Sequence, residues 1–199
     1  MLGQCSSLAT LDLGWNRIGD EGARSLAGVL RQCPLLATLN LRSNGIGPDG
    51  TRRLAEVLGE CSTLATLDLG YNHIGAEGAG RLAEVLGLGS LLTGLNLRSN
   101  RIGPAGAGRL AEVLGQCSSL ASLDLESNDI RDEGARSLAG MLGQCSSLAE
   151  LNLMTNRIGD DVIAMIRTRI QDSTKLFASD QFPEADDDES DLDDDESDS

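Results

Sequence analysis

LATLDLGWNRI, Leu8 to Ile18, decides the fold, because it returns every 28 residues without an insertion or deletion. Its asparagine marks each return: Asn16, Asn44, Asn72, Asn100, Asn128 and Asn156. The frame around it repeats too. Leu8, Leu11, Leu13 and Ile18 recur as Leu36, Leu39, Leu41 and Ile46, and so on to Leu148, Leu151, Leu153 and Ile158. A fixed period of this length means a solenoid, in which one supersecondary unit stacks on the next and buries a face it cannot bury alone.

Within one unit the LxL stretch alternates as a strand does. Leu11 and Leu13 point inward, and Thr10, Asp12 and Gly14 face the open side. A turn follows at Asn16. A buried asparagine carries both donor and acceptor groups and can satisfy loop backbone that has no ladder partner, so the Asn series is expected to point inward. Gly19 and its equivalents allow the next bend. Arg131 interrupts that series, which suggests that the bend does not strictly require a positive φ. The helix then reads EGARSLAGVL, Glu21 to Leu30, with Ala23, Leu26, Ala27 and Leu30 on one face. Gly22, Gly50, Gly78, Gly106 and Gly134 sit in the first helical turn, where small size permits close packing. Asp20 and Glu21 place negative charge at the positive end of the helix dipole. Each strand reaches a parallel neighbour through a helical crossover, which is right-handed in nearly all proteins. Strands pair at about 4.8 Å and helices at about 8–10 Å. The stack therefore bends with strands concave and helices convex. The fold class is α/β.

LxxLxLxxNxI at this period is the leucine-rich-repeat pattern, and the chain resembles the ribonuclease-inhibitor class of these repeats, also used in the sensor half of NOD-like receptors. A second period strengthens the resemblance. Position 12 alternates as Asp12, Asn40, Asp68, Asn96, Asp124 and Asn152. Arg42 and Arg98 fall in even repeats, Trp15 and Tyr71 in odd ones. The resemblance covers roughly residues 2 to 171 and implies a horseshoe arc that binds a protein, without naming that protein.

Charge divides the chain. From residue 172 onward there are 13 acidic residues and one lysine, out of a net charge of −15, whereas residues 1–171 are nearly balanced. The sequence thus separates into a repeat domain at 1–171, a linker at 172–185 and a disordered acidic tail at 186–199. The sixth helix abandons the pattern, with Val162, Ile163 and Arg167 at the stacking positions, as suits a last repeat. Phe177 and Phe182 are either part of that cap or part of the linker. The N-terminal end lacks such a cap. Leu8, Leu11 and Leu13 are expected to expose an apolar flank, consistent with a fragment of a longer array and with self-association through that end.

Composition narrows function. The acidity disfavours nucleic-acid phosphates. No apolar run is long enough for a membrane helix, and no signal peptide is visible. Cys5, Cys33, Cys61, Cys117 and Cys145 share one repeat position, with Gly89 at the sixth. They read as a ladder of small buried residues kept reduced, which places the chain in the cytoplasm, with the nucleus also open to it. No cofactor, metal site or catalytic group is implied. His73 is the one histidine, in a loop position that varies between copies, and the glycine-rich Ile102 to Gly108 stretch lacks a phosphate-loop lysine.

What varies within the fixed frame is what a partner would read. Those candidates are Asp12, Trp15, Arg17, Asn40, Arg42, Asp68, Tyr71, His73, Asn96, Arg98, Arg101, Asp124, Glu126, Asn152 and Met154. The sequence therefore points to a noncatalytic scaffold binding a protein on its concave face, and the resemblance to NOD-like receptors implies an innate-immunity or signalling role. The alternative rests on layout. Repeats followed by an acidic C-terminal segment also resemble the GTPase-activating protein for the small GTPase Ran, although no motif allows its functional residues to be carried over.

Overall fold

The computed structural model describes residues 5–87, 91–179 and 181. Strands and helices alternate: β1 (Thr10–Asp12), α1 (Gly19–Leu30), β2 (Thr38–Asn40), α2 (Pro48–Leu58), β3 (Thr66–Asp68), α3 (Gly75–Leu86), β4 (Gly94–Asn96), α4 (Gly103–Leu114), β5 (Ser122–Asp124), α5 (Arg131–Leu142), β6 (Glu150–Asn152), α6 (Asp160–Arg167) and β7 (Lys175–Phe177). All strands are parallel, in one open sheet whose spatial order is the chain order. Equivalent residues pair, Leu11 with Leu39, Leu39 with Leu67 and onward, because every unit has the same length. The molecule is an α/β solenoid.

The core lies between sheet and helices. Leu39, Leu41, Leu67, Leu69, Ile46 and Ile74 from the strand side meet Ala79, Leu54 and Leu110 from the helix side, all essentially inaccessible. The first repeat differs. Leu8, Leu11, Leu13 and Ile18 are only half-buried, while their second-repeat counterparts Leu36, Leu39, Leu41 and Ile46 are fully buried.

The asparagines form the expected ladder, and the expected inward direction holds from Asn44 onward; Asn16 itself is exposed. Asn72 shows its logic. Its Nδ2 donates to the carbonyls of Leu41 (3.0 Å), Leu69 (2.8 Å) and Gly70 (3.2 Å). Its Oδ1 accepts from the N–H groups of Asn44 (3.0 Å) and Ile46 (3.0 Å). One amide thus closes its own turn and holds the turn before it.

The sequence reading stops the repeats at six and takes 172–185 as a linker. The structure instead adds a seventh strand within that stretch. β7 pairs with β6, Leu151 opposite Leu176, after a spacing of 25 residues instead of 28. Leu176 packs on the core and Ala178 is buried, while Phe177 points to the open side and is 45% exposed, so Phe177 is not the capping group. Gln181 completes the cap. Its Oε1 accepts from Asn156 N (2.8 Å) and Ile158 N (3.1 Å), and its Nε2 donates to Leu153 O (2.8 Å), the bonds a seventh asparagine would make. Phe182 and the acidic run 186–199 lie outside the described residues.

Helix starts come in two forms: a positive φ is not strictly required at this bend, as expected, but Arg131 is not the residue that departs from it. Arg131 itself adopts φ 56°, alongside Gly19, Gly75 and Gly103 at 60–65°. These four N–H groups donate to the backbone carbonyls of Asn156, Asn44, Asn100 and Asn128 respectively. Gly47 and Gly159 depart instead, with φ −96° and −69°. Their N–H groups turn back to the preceding repeat: Gly47 donates to Asp20 (2.7 Å) and Gly159 to Asp132 (2.8 Å), and Asp20 also accepts from Gly50 N (2.9 Å). Asp20 therefore caps the next helix, α2, from one repeat away. The equivalent of Asp20 and Asp132 in the third repeat is Ala76, which offers no acceptor, and Gly103 takes the left-handed form.

The thiols of Cys33, Cys61, Cys117 and Cys145 lie 3.4–3.7 Å from the carbonyl four residues back in their own helix ends. All five cysteines are free. Burial, the largest cause in each case, pushes these four thiols above the ordinary thiol range; a neighbouring thiol adds to it at Cys33 and Cys145, and the Glu60 charge followed by a neighbouring thiol at Cys61.

Three expectations follow from this architecture. Asn72→Ala removes all five bonds and leaves two buried N–H groups, of Asn44 and Ile46, without a partner, while the carbonyls of Leu41, Leu69 and Gly70 keep bonds from Asn44 Nδ2, Asn100 Nδ2 and Ser43 N. It should destabilise by about 2–6 kcal/mol, seen as a melting temperature lower by at least about 4 °C; an unchanged melting temperature would remove the ladder from its structural role. In α5, a Cβ at Gly134 would stand 2.8 Å from Ile130 Cγ2, 2.9 Å from Ala107 Cβ and 3.0 Å from Pro104 Cα, whereas one at Gly140 meets nothing within 4 Å. Gly134→Ala should thus cost about 1–3 kcal/mol by overpacking, and Gly140→Ala should stabilise by about 0.5–1 kcal/mol; denaturant midpoints should move in opposite directions. Finally, raised thiol pKa values mean that the folded chain retains protons the unfolded chain releases. This contribution is complete below the unfolded thiol pKa of about 8.5 and is lost as pH rises through the folded values. The fall in melting temperature between neutral pH and strongly alkaline pH should be smaller in Cys117→Ala/Cys145→Ala than in the unaltered chain.

Candidate protein-binding face

Four positions of each repeat build the open side of the sheet and its turn edge. The innermost is the Asp/Asn series. In every copy its Oδ1 accepts the N–H two residues on: Asp12 from Gly14 (2.9 Å), Asn40 from Arg42 (2.9 Å), Asp68 from Gly70 (2.8 Å), Asn96 from Arg98 (2.9 Å), Asp124 from Glu126 (3.0 Å) and Asn152 from Met154 (3.1 Å). These six side chains end the strand by offering its backbone a local acceptor. The sequence reading takes them as free binding positions. One oxygen of each is already committed to structure.

Two residues on, the series is Gly14, Arg42, Gly70, Arg98, Glu126 and Met154. Next come Trp15, Ser43, Tyr71, Ser99, Ser127 and Thr155, every one in the left-handed region, with φ 53–63°. After the asparagine come Arg17, Gly45, His73, Arg101, Asp129 and Arg157, left-handed again except for His73. A left-handed residue on each side of a buried asparagine turns both of these side chains outward. The sequence gives no warning of this, since neither Trp nor Tyr prefers that conformation. Trp15 is 73% exposed.

The variable positions come together into two halves of different chemistry. Over repeats one to four, the Tyr71 ring lies beside two guanidinium groups, with Arg42 Cζ 4.3 Å and Arg98 Cζ 5.5 Å from its centroid, within cation–π range. His73 and Arg101 are exposed at the turn edge beside this group, and Arg17 beside Trp15. Among the described residues, Arg17, Arg42 and Arg101 form no ion pair. Over repeats five and six the charges are matched. Arg98 Nη1 meets Glu126 Oε2 at 2.6 Å, and Asn152 Nδ2 donates to the same oxygen at 3.0 Å. Arg157 and Arg131 both reach Asp129, at 3.2 and 3.3 Å. Burial raises the Asp124 carboxyl above its usual range, with the Glu126 charge adding to it, against the opposing Glu126 N–H bond and Arg98 charge. Met154 is half-buried at the end of this half. The Arg98–Glu126 contact joins residues 28 apart, and the sequence signal for it was available: Glu126 stands where Gly14 and Gly70 stand in the other odd repeats.

The helix side offers a contrast. Arg24, Arg52, Arg53, Arg81, Arg109 and Arg136 are each paired with an acid three or four residues away. Among the described residues no group of three or more His, Cys, Asp or Glu is placed to hold a metal ion, and no helix is long and apolar enough to cross a membrane.

Against known proteins, no curated sequence matches this chain. Solved structures similar to it include actin-binding site 2 of leiomodin-1, with a TM-score of 0.62 and 16% identity over 72% of this chain and 84% of that one. The tropomodulin C-terminal domain of Caenorhabditis elegans superposes with a TM-score of 0.60 at 15% identity, covering 71% and 86%. A Bacteroides fragilis protein gives 0.54 at 17% identity, covering 79% of this chain and 51% of that one. At such identities the likeness is one of fold. A sequence model of the leucine-rich repeat matches residues 4–27, 32–55, 60–83, 90–111, 116–139 and 144–161, most of the six units derived above. With that much of its length matched and every matched unit folded as strand, turn and helix, the chain belongs to the leucine-rich-repeat family.

Proposed function

We propose that this chain is a noncatalytic scaffold that takes a protein partner on its open sheet face, with the half centred on Tyr71 as the anchor. One observation carries the reading: an exposed tyrosine and two arginines gathered at one place on a rigid frame. Tyr, Trp and Arg are the residues that dominate binding energy at protein interfaces. Holding them on short strands and hydrogen-bonded turns reduces the ordering cost of association. Actin-binding site 2 of leiomodin-1 is a case of this fold in a protein-binding role.

Within the family, we place the chain nearest the ribonuclease-inhibitor class, as in the sensor half of NOD-like receptors. The alternating Asp/Asn series and the 56-residue pairing of arginines and aromatics support this. The Ran-type GTPase-activating reading is supported by layout alone, and stimulation of GTP hydrolysis by Ran at micromolar protein is its test. A cytoplasmic or nuclear setting accords with the free thiols.

The binding test uses the full chain as bait, then measures the affinity of any protein it captures. Trp15→Ala/Tyr71→Ala should weaken that affinity at least 100-fold, two anchor losses of about 2 kcal/mol each, with the melting temperature nearly unchanged. Arg42→Glu should act in the same direction on an acidic partner. Arg98→Glu is unsuitable, because it would set a second carboxylate against Glu126, which is only 8% exposed. The control is Arg81→Ala/Arg109→Ala on the helix side. Binding that survives the face changes and is lost in the control would move the site to the helices.

A further inference from the structure

We infer that the acidic C-terminal run of this chain, residues 186–199, docks in cis on the Arg17/Arg42/Arg101 edge of the open face and competes there with any partner. The inference rests on the binding face proposed above and adds a regulator to it. Three observations point to this occupant.

The first is complementarity. Residues 186–199 contain ten acids and no base. The helix-side arginines named above already have acidic partners, and so do Arg98 and Arg157. The face cations left without one among the described residues are Arg17 and Arg101 at the turn edge and Arg42 on the face beside Tyr71. Arg42 is held against the Tyr71 ring, where a carboxylate can approach it.

The second is the exit point. Gln181 is tied to Asn156, Ile158 and Leu153 at the seventh position of the amide ladder. That ladder runs along the same turn edge. The chain thus leaves the fold beside the row that carries Arg101 and Arg17. Arg167 and Arg169, also without ion pairs among the described residues, follow from the far end of α6, at the opposite edge of the sheet.

The third is reach. At about 4.8 Å per strand, Arg101 lies three repeats from Gln181, about 14 Å, and Arg17 six repeats, about 29 Å. At about 3.3 Å per extended residue, Asp186 reaches about 17 Å from Gln181 and Asp198 about 56 Å. The acidic run therefore spans the whole row of free cations. A short tether gives an effective concentration of about millimolar, so contacts that are individually weak suffice to occupy the face at low salt and are screened at high salt.

The test uses full-length chains and needs no partner. The ring of Tyr71, the one tyrosine, and the indole of Trp15, the one tryptophan, are followed by NMR in the unaltered chain and in one whose ten acids at 186–199 are changed to Asn or Gln. At about 20 mM salt the two should differ at Tyr71 and Trp15, independently of protein concentration, and the difference should vanish by about 0.5 M as the screening length falls to a few ångströms. Repeated in an Arg42→Gln/Arg101→Gln background, which leaves the Arg98–Glu126 pair intact, the difference should be lost. In an Arg167→Gln/Arg169→Gln background it should persist. No difference at low salt overturns the proposal, and so does one that grows with protein concentration or disappears only in the Arg167/Arg169 background. Because the readout is intramolecular, failure here leaves the binding face to be judged by its own capture experiment.

Discussion

One side-chain amide per repeat holds this structure together. Each buried asparagine serves backbone groups in two successive turns, and those turns have no strand ladder to use. Without the series, each repeat would leave two buried N–H groups and one leucine carbonyl unpaired, each at about 1–3 kcal/mol. Because the amide reaches into the previous unit, it also fixes the vertical register, and with it the pairing of equivalent leucines across the sheet. This is nearest-neighbour coupling in a one-dimensional stack. The end of the stack shows that the requirement is for an amide at that place and not for an asparagine at that number. Gln181 supplies it from a shorter final unit, with one more methylene.

The same amide shapes the outer face. To present its side chain inward, the asparagine is flanked by residues in the left-handed region, at φ 63° for Trp15 and 56° for Tyr71. Four of the six copies fill that place with Ser or Thr. Large aromatics there carry conformational strain of about 1–3 kcal/mol, and neither ring is buried in return. Trp15 has no burial to offset that strain, and Tyr71 has the two cation–π contacts of Arg42 and Arg98. The buried ladder and the exposed anchors are thus two sides of one turn, and rigidity at the first is what fixes the second in space.

Much of this was legible from periodicity, because period 28 with leucines at fixed phase leaves little freedom in the fold. What was not legible depended on contacts between units or on backbone conformation. Asp20 reads as a charge on its own helix, yet its oxygen caps the next one, 27 residues on. Arg131 reads as proof that the bend tolerates ordinary backbone, yet it takes the glycine conformation, because its N–H is needed by the Asn156 carbonyl. Gln181 and β7 escape because the last unit is three residues short, its helix α6 has eight residues, and glutamine breaks the pattern. In the face itself, positions could be assigned from alternation but partnerships could not. The Asp/Asn series is spoken for by backbone at i+2, and the gathering of two guanidinium groups at one ring depends on side-chain geometry across three repeats.

The two-repeat period explains why the face is divided. Arginine stands in the second and fourth repeats at the position where the first and third carry glycine. Arg42 from the second repeat and Arg98 from the fourth both reach the Tyr71 ring in the third, at 4.3 and 5.5 Å from its centroid. A fifth repeat built on the same plan would again have glycine there. It has Glu126 instead, buried against the sheet and bonded to both Arg98 and Asn152. In the sixth repeat Met154 replaces the arginine. Two substitutions in one series thus end the cationic surface after the fourth repeat, neutralise the inner side of Arg98, and leave Arg42 as the guanidinium of the cluster with a free side to solvent. Uniform units make a uniform frame; it is the departures at this single position that give the face a direction along the stack.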